Sequence, residues 1–151
     1  MPATKKQRKS SSYDVHPSMG THQKTLASET YLKQAEEYVE EMYSGSKEPL
    51  RPIFEELLAL GRSLGNDVRV SPCKTIVPLY RKHVFAQIKP TTRTRIDLGL
   101  ALKDTKVPKR LIDTGGLTKK DRITHRIEIT SLKDIDAEVR KWIKFAYGMD
   151  R

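Results

Sequence analysis

From Ser28 onward, Tyr31, Leu32, Ala35, Tyr38, Val39, Met42 and Tyr43 recur at three- and four-residue spacing, with Glu29, Glu36, Glu37, Glu40 and Glu41 between them. At 3.6 residues per turn this gathers the apolar groups on one stripe of a helix and the carboxylates on the other side. Ser28 is the expected N-cap and Gly45 the expected stop. After SGSKEP, a second stripe of Ile53, Phe54, Leu57, Leu58 and Leu60 predicts another helix. Pro49 and Pro52 are tolerated near its first turn, where no backbone N–H is needed. Gly65-Asn66-Asp67 ends it.

Past Asp67 the period falls to two. Val68 and Val70 alternate with Arg69, SPCK makes a turn, and TIVPLYRK follows. In HVFAQIK, Val84, Ala86 and Ile88 alternate with His83, Phe85 and Gln87; in RTRIDLGLAL, Ile96, Leu98, Leu100 and Leu102 alternate with Arg95, Asp97, Gly99 and Ala101. Four short strands joined by tight turns follow from this pattern. A longer loop, KDTKVPKRLIDTGGLTKKDR, leads to a fifth strand with Ile127 and Ile129 opposite Arg126 and Glu128. Helical spacing then returns in Ile135, Val139, Trp142, Ile143, Ala146 and Tyr147, with Ser131 or Asp134 as cap and Trp142 as core anchor.

These elements predict an α+β domain of two layers: N-terminal helices, a five-stranded antiparallel meander sheet and a C-terminal helix, over residues 25–151. Residues 1–24 hold few sizeable apolar groups and carry Lys5, Lys6, Arg8 and Lys9, so they are expected to form a disordered basic arm. With helices on one sheet face, the other is expected to show Arg69, His83, Phe85, Gln87, Arg95, Asp97, Arg126 and Glu128 to water or to a partner.

Charge sharpens that picture. The chain has 29 Lys and Arg against 19 Asp and Glu, and residues 65–130 alone hold fifteen of the cations against six acids. The basic excess therefore belongs to the sheet region, and such a field favours anionic partners. No apolar run reaches the roughly 18 residues of a membrane helix, and the N-terminus has no apolar signal core, so a cytoplasmic protein that does not enter membranes is expected. One cysteine, Cys73, excludes an internal disulfide and a multi-cysteine zinc site.

The run from LRPIFEELLALGRSLGNDVRVSPCKTIVPLYRKHVFAQIK through RIDLGLALKD, then RLIDTGG, RITHRIEI and a terminal helix with Trp142, resembles an uncharacterised bacterial domain family sometimes catalogued as a predicted transport protein. The resemblance covers about residues 35–150 and implies a fold with little chemistry attached. In longer relatives an opening like YDVHPS begins a separate helical domain. Tyr13 to Ser18 keeps that opening, so the chain looks like a shortened form.

Candidate chemistry is sparse. There is no GxxxxGK[ST], HExxH, GxSxG or post-strand GxGxxG motif. The four histidines lack the spacing of a ligand set, so neither metal nor cofactor is expected. Asp113-Thr114-Gly115-Gly116 is the most site-like segment. Paired glycines let backbone N–H groups approach an anion, and Lys109, Arg110, Lys119, Lys120 and Arg122 lie around it. On the sheet, Arg95 and Arg126, with Lys74, Arg81, Lys82 and Arg93 at strand ends, are candidates for phosphate contacts, and Phe85 and Tyr80 for base stacking. Arg95 and Asp97 pairing across strands with Glu128 and Arg126 is the competing arrangement. The first reading is a non-enzymatic module binding nucleic acid or a phosphorylated small molecule. Its rivals are a small enzyme or carrier using Cys73, His83, His125 and Asp113 in one pocket, with Cys73 activated by a nearby histidine, and an interaction domain for a protein partner, suggested by the acidic first helix.

Overall fold

The stripe that begins at Tyr31 winds into α1 (Lys24–Met42), which buries Ala35, Val39 and Met42, with Tyr43 buried just past its end. The structure is a computed structural model that describes Tyr13, Asp14 and residues 24–151. α1 starts ahead of Ser28, which therefore lies inside the helix and does not cap it. Gly45, at φ +60°, follows the helix in a backbone region that glycine reaches without a Cβ clash. A 3-10 turn, Gly45–Leu50, leads into α2 (Arg51–Arg62), with Pro52 in its first turn as the pattern required. Ile53, Phe54, Leu57 and Leu58 are buried. Gly61 must be small, because a Cβ there would collide with the Leu79 side chain.

The sheet has six antiparallel strands: β1 (Arg69–Val70), β2 (Val77–Tyr80), β3 (Val84–Thr92), β4 (Arg95–Leu100), β5 (Ile112–Asp113) and β6 (His125–Ile129). Their order is β1-β2-β3-β4-β6-β5. The five expected strands are all present, and the sixth arises where the long loop pairs Ile112 with Arg126 and Asp113 with His125. The sheet is therefore not a pure meander, since β5 lies outside β6. Cross-strand rows such as Leu79, Ala86 and Leu100, and Ile88, Leu98 and Ile127, join the helix stripes in one buried cluster.

One strand breaks its period. Between β2 and β3 the pairing passes from Leu79 opposite Ala86 to Tyr80 opposite Val84, so Phe85 is an extra residue without a partner on β2. A bulge of this kind re-aims the side chains beside it. Phe85 is fully buried, its ring 5.5 Å from Tyr147 in an edge contact, and not on the open face.

After α3 (Gly116–Lys119), a 3-10 turn at Leu132–Asp134 precedes α4 (Ala137–Met149). Ser131 and Asp134 cap the turn as a box, while Asp136 caps α4 by accepting from the Val139 N–H at 3.1 Å. Trp142 is buried on the inner stripe of α4, as expected.

The N-terminal arm is fixed at two positions. The Asp14 N–H donates to the Val70 carbonyl at 2.8 Å, and the Val70 N–H donates to Asp14 Oδ2 at 2.8 Å, which occupies the free edge of β1. Tyr13 packs on the core near the Arg62 guanidinium, and burial pushes its phenol up to about 12. The expectation of disorder over 1–24 is corrected at these two residues and at Lys24, where α1 begins, and the rest of it lies outside the described residues. Among the described residues no helix is long and apolar enough to cross a membrane.

Candidate functional site

The sheet face away from the helices carries the row Lys89, Asp97 and Glu128 beside Gln87, Gly99 and Arg126. Arg95 Nε donates to Asp97 Oδ1 at 3.0 Å, and Arg126 donates to Glu128 Oε2 at 2.8 Å and to Asp97 Oδ1 at 3.2 Å. Arg95 also lies 3.5 Å from Glu128. Two cations thus meet two carboxylates, and the cross-strand pairing weighed against phosphate binding is the arrangement present. Part of this face is also covered: a Cβ on Gly99 would come within 2.8 Å of an Ile123 methyl. Tyr80 is half-buried, and burial raises its phenol pKa.

The DTGG loop spends its own donors. Asp113 Oδ1 accepts the Gly115 N–H at 2.7 Å and Thr114 Oγ1 accepts the Gly116 N–H at 3.1 Å, so neither amide is left to cradle an anion. Gly115, at φ +81°, makes the turn. Gly116 is needed for packing, since a Cβ there would strike the Ile123 carbonyl. Arg110 points elsewhere, holding Asp136 at 2.9 Å and Glu138 at 3.1 Å at the start of α4.

Cys73, His83 and His125 do not share a pocket. Cys73 sits in the turn before β2, where its N–H reaches the Ile76 carbonyl, and burial raises its thiol pKa, the opposite of activation. His125 is buried, with Nδ1 2.9 Å from Thr124 Oγ1. Lys74 lines a separate groove with Lys47 and Lys89. Among the described residues no three His, Cys, Asp or Glu side chains gather as a metal site.

His83 lies elsewhere, in the wall of a cavity of about 490 Å³ built where α3, the ends of β4 and the C-terminus of α4 meet. That is a volume typical of small-molecule sites. Lys103, Lys120, Arg122 and Arg151 line it, against Asp121 and Asp150. Asp150, with a side chain only 3% exposed, accepts the N–H groups of His83 at 2.7 Å and Lys82 at 3.1 Å, and His83 Nδ1 at 2.8 Å. Burial pushes this carboxyl up, but those hydrogen bonds outweigh it and hold the pKa below its ordinary value of 3.8. A carboxylate only accepts, so Nδ1 carries the proton and the imidazole is held in one orientation, as an acid residue orients a working histidine. Nε2 has no partner among the described residues. Arg122 is anchored by Nε on the Val84 carbonyl at 3.2 Å, with a second nitrogen 3.7 Å from Asp150.

The backbone is strained at the same place. Among the described residues the only non-glycine residues with positive φ are Lys103, at 55°, and Lys120, at 61°, and both line this cavity. Lys120 closes α3 in the left-handed conformation where glycine is usual. Of the residues singled out in the sequence, the cavity brings together Arg122, Lys120 and His83. No sequence pattern marks Lys103, Asp150 and Arg151: Lys103 lies just past β4, and Asp150 and Arg151 reach the cavity because the end of α4 packs against the turn between β2 and β3.

A helix-backed antiparallel sheet with a basic, partly strained cavity at one corner defines an α+β domain with a candidate small-ligand site. The chain belongs to the family described as Domain of unknown function (DUF5655), whose model matches residues 39–150. That span holds α2, the whole sheet, α4 and all of the cavity wall except Arg151. Comparison with curated proteins and with solved structures found no match.

Proposed function

We propose that the protein is a binding domain for a phosphate-bearing ligand, held in the cavity at the end of α4. The observation that carries this reading is the pair of left-handed lysines. A non-glycine residue in that conformation costs about 1–2 kcal/mol, and strain of this kind collects at ligand sites because the surrounding structure must hold it. Both instances fall in one cavity, on residues whose side chains carry positive charge. Four cations there face two carboxylates, of which Asp150 pairs with Arg122 at 3.7 Å, so the cavity holds more positive charge than its own acids neutralise. On the sheet face Arg95 and Arg126 are matched by Asp97 and Glu128 in a neutral cluster, and Lys89 of the same row stands outside it and lines a separate groove.

The test separates strain from charge. Lys103→Gly and Lys120→Gly relieve the backbone and remove a cation each. They are expected to raise stability by up to about 1 kcal/mol while weakening pyrophosphate binding about tenfold, read by denaturation midpoint and calorimetric titration. Unchanged pyrophosphate affinity in both variants would reject the reading. A second set of variants, Lys103→Met and Lys120→Met, removes the charge but keeps the strain, and should lose affinity without gaining stability.

A further inference from the structure

The inner stripe of α4 buries Val139, Trp142, Ile143 and Ala146. Phe145 falls off that stripe and is 43% exposed, its ring edge-on to Trp142 at 5.4 Å. Around it lies a shallow hollow lined by Lys141, Lys144, Gly148, Met149 and Arg151. Met149 and Arg151 line the basic cavity as well, so the two hollows adjoin and share part of their walls. Phe145 and Met149 are one helical turn apart, about 6 Å along the axis. Leu117, another exposed apolar side chain at 52%, stands in the cavity wall. Gly148 keeps the helix surface beside the ring bare: a Cβ there would meet nothing within 4 Å, so no contact inside the protein requires a glycine in this turn. Glycine within a helix is unfavourable.

We infer that the ligand is a nucleotide, with its phosphate in the basic cavity and its base on the Phe145 ring. This rests on the phosphate reading of the cavity and adds the group that reaches out of it. Every base has a π-face that stacks on an aromatic ring. Trp142, anchored in the core, packs against the Phe145 ring with the two planes 78° apart, which limits the rotamer freedom lost on binding. Lys141 and Lys144 extend the positive field along the same helix. A sugar phosphate fills the cavity alone and leaves the ring in water.

Calorimetric titration of the full chain with AMP and with ribose 5-phosphate tests the assignment. AMP is expected to bind about tenfold more tightly, the contribution of one stacked base. Phe145→Ala should bring the two ligands within about twofold of each other, leaving ribose 5-phosphate affinity unchanged, and Phe145→Tyr should keep the preference. Equal affinities in the unmodified protein, or a preference that survives in Phe145→Ala, overturn the nucleotide assignment and leave the phosphate cavity standing. If neither ligand binds, the cavity reading itself fails and takes this one with it. A 5′-phosphorylated tetra-adenylate bound more tightly than AMP assigns the end of a nucleic acid strand, and equal binding assigns a free nucleotide. Either result upholds the site.

Discussion

The open sheet face and the cavity at the end of α4 are both rich in cations, yet they differ in what those cations meet. On the sheet, Arg95 and Arg126 are tied to Asp97 and Glu128 within 3.5 Å, at backbone angles any residue adopts. In the cavity, four cations face two carboxylates, and two of the four stand on strained backbone. A cross-strand ion pair is part of a sheet's ordinary stability, about 0.2–1 kcal/mol. Strain and unmatched charge at one spot stabilise nothing in the free protein. The comparison teaches that a count of basic residues along the chain measures the field only after each cation's own partner has been subtracted.

The largest expected effect tests whether the cavity wall is continuous with the core. Trp142 belongs to the buried stripe of α4 and touches Phe145. Trp142→Ala is expected to cost about 3–5 kcal/mol, read as a shift in the urea midpoint. Trp142→Phe keeps a ring and removes the indole N–H, which is buried without a partner, and should cost much less. A small effect from alanine would detach α4 from the core and with it the distinction between a built cavity and a surface.

The periodicities alone carry most of the fold. α2, the alternation in β4 and the inner stripe of α4 are legible because burial on one face imposes a period. Phe85 was misplaced because one extra residue in β3 shifts the faces, and a bulge leaves no mark in a pattern of apolar and polar positions. β5 escaped because two residues are too short a run to show alternation. Phe145 had a signal, being a large aromatic off an otherwise regular apolar stripe. The left-handed lysines had none, since neither is glycine or asparagine. Asp150 and His83 are 67 positions apart in sequence, and only the packing of α4 on β3 joins them.

A second comparison sets one carboxylate from each region side by side. Asp150→Ala leaves the N–H groups of Lys82 and His83 without their shared acceptor and frees the imidazole. Hydrogen bonds to a charged group contribute about 1.5–3 kcal/mol, so the loss should fall in that range. Glu128→Ala, at a side chain 41% exposed, should cost under about 1 kcal/mol. Equal costs would mean that Asp150 is no more embedded than a surface ion pair.

Acid should weaken both ends of α4, through Asp150 beside the cavity and through Asp134 and Asp136 at the opposite end. Hydrogen bonds from the His83 side chain and from the backbone of His83 and Lys82 keep Asp150 below 3.8 despite its burial, and those from Val139 and from Thr130 do the same for Asp136 and Asp134. A carboxyl whose pKa is depressed in the folded chain binds protons more readily when unfolded. Its stabilisation is therefore fully present above about pH 4 and is lost as pH falls below it toward the folded value. Urea midpoints measured between pH 6 and 3 should decline at the acid end, and Asp150→Asn should flatten part of that decline. An identical slope in the variant would remove Asp150 from the account.

The smallest effect is the most discriminating between the two regions. If phosphate binds in the cavity, Arg95→Ala and Arg126→Ala should each change pyrophosphate affinity less than twofold at 0.1 M salt. A neutral cluster projects little field, and the single charge uncovered by either substitution is screened within about 10 Å. Arg122→Ala removes a cation from the cavity wall, one that a hydrogen bond to Val84 holds in place, and should weaken binding several-fold with a shallower dependence on salt. Glu128→Gln sharpens the contrast from the other side, because it leaves the sheet cluster with one unmatched cation and still should not create a second phosphate site. A tenfold loss in Arg95→Ala with Arg122→Ala unaffected would return the anion site to the sheet, and the paired geometry there would then describe only the free protein.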